Sequence, residues 1–218
     1  MLPKAVIFDV DGVLFDTEVM IRRGWEEVST RMGWPQVGES YMDYVGQSRR
    51  DIMARHRAVF GPGFDTEAFL IAVTDFCTAH WESEGLPLKP GLMDILDYLR
   101  EKRIPLALAT STRSTRTARR MEVTGLGYYF DAIVCGDMVA HSKPDPDIYL
   151  MAAEKLGIDP KDCMAVEDSP NGIRSAHAAG MQVIMIPDLV PYTLELDRLL
   201  LTHLDSLTDL RNYLNTLE

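Results

Sequence analysis

Cysteine is scarce: the 218 residues hold only Cys77, Cys135 and Cys163, far apart and without a CxxC pair. An odd, scattered set argues against a disulfide framework. It reads as three small reduced core residues of a cytoplasmic protein. The five histidines (His56, His80, His141, His177 and His203) lack the spacing of zinc ligands. Positive charge is in deficit, with 22 Lys and Arg against 33 Asp and Glu, a net charge of −11. Nucleic acid and anionic membranes would repel such a chain, so neither is expected as a partner. No apolar run reaches the ~18 residues that span a bilayer. The first residues lack the charged-then-apolar pattern of a secretion signal. Internal repeats and low-complexity tracts are absent as well.

What is present suits an ordinary enzyme-sized globule. A hydrophobic content of 46% is enough for a full core, and the length fits one large domain or a domain with an insertion. Five short apolar runs, at residues 5–8, 106–109, 132–135, 164–166 and 182–186, alternate with helical patterns. Strands separated by helices predict βαβ units and a mostly parallel α/β sheet with helices on both faces.

The helices carry their own punctuation. Leu92, Ile95, Leu96 and Leu99 form one apolar stripe directly after Pro90-Gly91. Asp145-Pro146 reads as an N-cap followed by proline in the first turn, and Gly157 as the end of that helix. Ser169-Pro170 opens another helix, and Leu204, Leu207, Leu210, Leu214 and Leu217 predict a last amphipathic one. Residues 18–32, 49–60 and 66–84 read as helices with no strand among them. This predicts a core of residues 1–16 and 87–218 and a helical insertion of residues 17–86. The insertion leaves the chain just after the first strand, where a lid would exclude water and supply specificity.

Four segments at strand ends carry the chemistry. Asp9-Val10-Asp11-Gly12 follows the first apolar run and puts two carboxylates in one place, with a glycine that permits close approach. Alone, such aspartates are also common turn formers. Thr110-Ser111-Thr112 offers hydroxyls and backbone N–H groups at a strand-to-helix junction, which suits a phosphate or simply caps a helix. Lys143, in Ser142-Lys143-Pro144-Asp145-Pro146, is constrained by the prolines that follow it and could neutralise a phosphate and a carboxylate together, or be a solvated loop lysine. Glu167-Asp168 suits a hard cation such as Mg²⁺, or a helix dipole. In open α/β sheets, ligands bind outside the carboxyl ends of the strands, and all four segments fall there in this reading.

The order and spacing of these motifs, with Leu14-Phe15-Asp16-Thr17 after the first, resemble the haloacid dehalogenase superfamily over essentially the whole chain. Within it they are similar to the β-phosphoglucomutase-like phosphatases of subfamily I. The resemblance implies a Rossmann-like core with an α-helical cap. It further implies a Mg²⁺-dependent phosphatase that takes a small phosphomonoester, sugar phosphates first. Asp9 would be the nucleophile, Asp11 the acid and base, and Lys143 and Thr110 their catalytic partners. Ser111, Gly12 and Arg49 would contact substrate, and Asp9, Asp11, Glu167 and Asp168 would serve the metal. Arg49 matches the arginine of the mutase cap segment in Gly46-Gln47-Ser48-Arg49-Arg50-Asp51. The mutase's cap histidine, however, aligns with Ile21, and its cap lysine falls near Cys77. A phosphatase is therefore expected ahead of a phosphosugar mutase, with a non-catalytic phosphometabolite-binding protein as a third reading. The second acid, Asp11, argues against carbon–halogen chemistry, which needs no leaving-group protonation. A monomer or weak dimer is expected. Trp25 and Trp34 are expected as packing residues, and Trp81 is left open.

Overall fold

The computed structural model describes every residue except Gly46 and Ser48. The chain divides into two compact units, one of Met1–Asp16 with Pro87–Glu218 and the other of Thr17–Leu86.

The first unit is built on a parallel sheet. Its strands are β1 (Ala5–Phe8), β2 (Leu106–Thr110), β3 (Ala132–Cys135), β4 (Cys163–Glu167), β5 (Gln182–Met185) and β6 (Thr202–His203). Their spatial order is β3-β2-β1-β4-β5-β6. Every residue of β1, β2 and β4 is buried. That is why these strands read as unbroken apolar runs rather than as alternation. Phe8 lies opposite both Leu108 and Val166, so the carboxyl ends of the three central strands are level. The chain runs from β1 outward to β3 on one side, then crosses to build β4, β5 and β6 on the other. β1 and β4 therefore flank the point where the winding reverses, which is where such sheets hold their ligands.

Helices α5 (Leu92–Glu101), α6 (Ser114–Thr124), α7 (Asp147–Leu156), α8 (Pro170–Ala178) and α9 (Leu207–Asn215) complete this unit. Ile148, Tyr149, Ala152 and Ala153 of α7 and Ile173 and Ala176 of α8 share one core with Ile7, Ala107, Ala109, Ala165 and Val183. Leu92, Ile95, Leu96 and Leu99 of α5 are buried, as are Leu207, Leu210 and Leu214 of α9, which packs on α5. The Ser169 hydroxyl caps α8 by accepting from the Gly172 amide at 3.1 Å.

Several boundaries differ from the sequence reading, among them β5, which ends at Met185, and α9, which leaves out Leu204 and Leu217. α7 begins at Asp147 rather than after an Asp145 cap. The Asp145 amide is tied into a turn with the Ser142 carbonyl (3.0 Å), while the Asp147 carboxylate accepts from the His141 amide at 3.1 Å. β4 and β2 each run one residue further, so Glu167 and Thr110 are strand residues. β6 was not expected, because two residues on a sheet edge carry no periodic signal.

The second unit comprises α1 (Glu18–Arg31), α2 (Pro35–Glu39), α3 (Arg49–Phe60) and α4 (Thr66–Glu84). Its core is aromatic. Trp25 meets Tyr41, Tyr44 and Phe69 with ring centroids 5.1–5.4 Å apart. Trp34 packs on Phe64 at 5.5 Å, and Trp81 is buried. All three tryptophans thus belong to this unit, and Trp25 and Trp34 pack as expected. The three cysteines of the chain are free and buried. No helix among the described residues is long and apolar enough to cross a membrane.

Candidate active site

The chain leaves β1 through a tight loop. The Asp9 amide donates to the Val166 carbonyl at 2.9 Å, and Leu14 and Phe15 return their amides to the Val10 carbonyl. Phe15 pairs with Asp11 and with Leu88. These bonds aim Asp9 and Asp11 outward from the sheet end. Gly12, at φ +83°, completes the turn in a region that favours glycine. A Cβ there would stand 2.3 Å from Asp168 Oδ2, so the absent side chain leaves room for the Asp168 carboxylate.

Lys143 is the hub. Its side chain is 6% exposed. Its Nζ donates to Asp9 Oδ1 (2.6 Å), Glu167 Oε1 (2.6 Å) and the Ala109 carbonyl (3.0 Å). Burial alone would discharge the ammonium, but the two carboxylates outweigh it and hold the lysine above its ordinary range.

Glu167 has no exposure and is saturated by protein donors. Oε1 accepts from Lys143 and from the Tyr149 hydroxyl at 2.8 Å. Oε2 accepts from the Asp168 amide (3.1 Å), the Ser169 amide (3.2 Å) and the Ser169 hydroxyl (3.0 Å). Burial would raise its pKa, but Lys143 and these hydrogen bonds keep it below the usual value. A carboxylate so committed has little left for a cation. The geometry makes Glu167 the anchor of Lys143 first, and a metal neighbour only second.

The acids around the lysine are out of balance. Ligand oxygens of Asp9, Glu167 and Asp168 lie within 4.8 Å of one another. Asp9 and Glu167 pair with the Lys143 ammonium, and Asp168 brings a third carboxylate beside them. Burial raises Asp9 to about 7, in spite of Lys143. Burial, together with the charges of Glu167 and Asp9, pushes Asp168 well above its ordinary value. A hard divalent cation satisfies this excess charge with the donors it prefers, so the residues present fit Mg²⁺.

Asp11 has a different setting. Burial pushes its pKa up, but Arg120 and Thr112 more than compensate and leave it lowered. Arg120 Nη1 donates to Oδ1 at 2.7 Å, and the Thr112 hydroxyl donates to Oδ2 at 2.9 Å. Thr110 is buried at the end of β2, and its hydroxyl accepts from the Thr112 amide at 3.1 Å, shaping the turn. Ser111 is exposed beside it.

Asp9, Asp11, Gly12, Thr110, Ser111, Lys143, Glu167 and Asp168 therefore all lie at the carboxyl end of the sheet. Arg49 belongs to the second unit, where it is exposed and 3.8 Å from Glu67. The mutase-like segment around it includes Gly46 and Ser48, which lie outside the described residues. Arg120 and Tyr149 were not singled out from the sequence. Arg120 sits in the basic run Arg116, Arg119, Arg120, and Tyr149 on an apolar helix face. Neither had a local signal for a partner so distant in the chain.

Comparison with known proteins adds the family. Residues 3–180 match the haloacid dehalogenase-like hydrolases. A phosphorylated carbohydrates phosphatase of Thermotoga maritima is 35% identical over 181 residues, 83% of each chain. Fructose-1-phosphate phosphatase YqaB of Escherichia coli is 31% identical, over 82% of this chain and 94% of its own. The structure of CbbY from Rhodobacter sphaeroides in complex with xylulose-(1,5)-bisphosphate superposes with a TM-score of 0.79 at 30% identity, covering 96% of both chains. The parallel sheet, the acids gathered at its carboxyl end and these matches agree, and the chain belongs to the haloacid dehalogenase-like hydrolases.

Proposed function

We propose that this protein is a Mg²⁺-dependent phosphatase of small phosphorylated metabolites, sugar phosphates first, working through an aspartyl-phosphate on Asp9. The observation that carries the reading is the Lys143 ammonium, 2.6 Å from Asp9, beside Asp168 at the winding reversal of the sheet. The names of the relatives, a carbohydrate phosphatase and a fructose-1-phosphate phosphatase, favour the substrate class.

Asp9 attacks phosphorus, which splits one difficult displacement into two easier ones. Lys143 directs the carboxylate and offsets the repulsion between two anions. The Thr110 hydroxyl and the Ser111 amide hold the oxygens of the transferring group, as fixed dipoles at a strand-to-helix junction. Asp11, which must enter the first step protonated against the pull of Arg120, gives its proton to the leaving oxygen, and then takes one from the water that hydrolyses the intermediate. Such transfer is worth ~10²–10⁴ in rate. The carboxylates of Asp9 and Asp168 and the Asp11 backbone carbonyl would hold Mg²⁺, which when bound would neutralise charge on the phosphoryl group. Residues 17–86 serve as the cap that reads the leaving group, with Arg49 as one reader. A mutase must hold a second phosphate, and Ile21 and Cys77 bring no charge to that task.

The test is phosphate release from a panel of phosphorylated metabolites, with Mg²⁺ and with chelator, including β-glucose 1-phosphate with product analysis. Mg²⁺-dependent release without isomerisation is expected. Isomerisation without net release would make the protein a mutase. Ligand binding without turnover across the panel would make it a binding protein.

A further inference from the structure

α6 follows directly from the Thr110-Ser111-Thr112 turn, and its arginines are not equivalent. Arg116 and Arg119 are exposed, whereas the Arg120 side chain is 5% exposed. Arginine is rarely buried unless it is paired, and Arg120 Nη1 meets Asp11 Oδ1 at 2.7 Å. The Thr112 hydroxyl takes the other oxygen, Oδ2, at 2.9 Å. Donors on both oxygens fix the plane of the carboxylate. A carboxyl oxygen can carry a proton and still accept a hydrogen bond, so the same two donors can hold Asp11 in both the protonated form that serves the leaving oxygen and the ionised form that serves the water. The Arg120 guanidinium also lies 6.0 Å from the centre of the Phe15 ring. Phe15 is the residue whose backbone bridges to Asp11. One side chain therefore grips both the carboxylate and the turn that carries it.

We propose that Arg120, seconded by Thr112, is the positioning residue that aims Asp11 for both proton transfers. The inference rests on the reading of Asp11 as proton carrier. In the first half-reaction the bond from Asp9 to phosphorus forms as the bond to the leaving oxygen breaks, and the Asp11 proton passes to that oxygen. In the second, a water oxygen bonds to phosphorus as the Asp9–phosphorus bond breaks, and the water's proton returns to Asp11. A misplacement of about 1 Å in such a group costs on the order of a hundredfold.

The experiment compares two esters by kcat/KM, which reports the first half-reaction. One is the best sugar phosphate of the wild-type panel, whose alkoxide leaves only with a proton. The other is dinitrophenyl phosphate, whose anion leaves unprotonated. Arg120→Met is expected to lose about ten- to a hundredfold on the sugar phosphate and less than about threefold on the aryl ester. Arg120→Lys should recover part of the loss. Thr112→Val leaves the buried ion pair in place. It should move the ratio the same way by a smaller factor, and it decides the matter if Arg120→Met does not fold. Equal losses on both esters would reduce Arg120 to a structural residue and overturn the proposal. So would an unchanged ratio in the folded Arg120→Lys and Thr112→Val proteins. Absence of hydrolysis of either ester by the wild-type holoenzyme would instead sink the phosphatase reading, and Arg120's role with it.

Discussion

Replacing His56 with phenylalanine should make the Thr17–Leu86 unit less sensitive to acid. His56 has no exposure and stands among the rings of Tyr44, Phe60, Trp25, Phe64 and Phe69, with centroids 4.5–6.0 Å away. Neither of its ring nitrogens has a hydrogen-bond partner among the described residues. Burial, followed by the charge of Arg55, lowers its pKa from 6.5 to about 4. Arg55 lies over the Tyr44 ring at 4.8 Å and donates to the Asp43 carbonyl, so its charge is fixed nearby. Below pH 6.5 the unfolded histidine takes up a proton that the folded one accepts only near pH 4. The stability associated with its neutral form is therefore complete above the upper value. It falls across the window between the two and falls no further below it. At about 1.4 kcal/mol per pH unit, the full window is worth about 3 kcal/mol, and about 2 kcal/mol is lost by pH ~5. The assay is urea unfolding followed by tryptophan fluorescence, because Trp25, Trp34 and Trp81 all belong to this unit. Between pH ~7.5 and ~5, the wild type should lose about 2 kcal/mol more than His56→Phe. Any overpacking by the larger ring shifts both pH values equally and cancels in this difference. Stability curves that run parallel in pH would refute the reasoning.

Two further perturbations address the site and its specificity. Gly12→Ala forces a side chain into a positive-φ position, with its Cβ 2.3 Å from Asp168 Oδ2. It should raise the Mg²⁺ concentration for half-maximal activity by about tenfold or more, as displacement of a ligand's supporting contact commonly does; an unchanged Mg²⁺ titration would contradict this. Arg49→Ala removes only an exposed ion pair at 3.8 Å, so the folding stability should change by less than about 0.5 kcal/mol. The ranking of substrates should change more than the best turnover rate, and an identical substrate profile would remove Arg49 from the reading.

Much of the fold was legible because its signals are local. A strand buried on both faces must be an apolar run, and Ala5–Phe8 and Leu106–Thr110 read that way. Glycine and proline marked the ends of α5 and α8. β6 was missed because its two residues owe their conformation to the neighbouring Ile184 and Met185. The start of α7 was misplaced because the Asp147 carboxylate, rather than Asp145, receives the preceding loop. At the site, the segments carrying Asp9, Asp11, Lys143 and Asp168 could be read because each follows its own strand, and the parallel register brings strand ends together. The saturation of Glu167 could not be read. It depends on Tyr149, 18 residues away, and on Lys143, 24 residues away. Arg120 was hidden for the same reason, since its partner Asp11 lies 109 positions earlier. Side-chain pairing across elements is a property of the packed fold, not of any window of sequence.

The most direct test of the central claim is acid-quenched mass spectrometry of the Mg²⁺-loaded enzyme during turnover of its best sugar phosphate, with peptide mapping. A phosphoryl adduct on the peptide containing Asp9, formed and lost at rates compatible with turnover and absent in Asp9→Asn, is the predicted result. Sustained phosphate release with no adduct, an adduct on another residue, or near wild-type turnover by Asp9→Asn would contradict it.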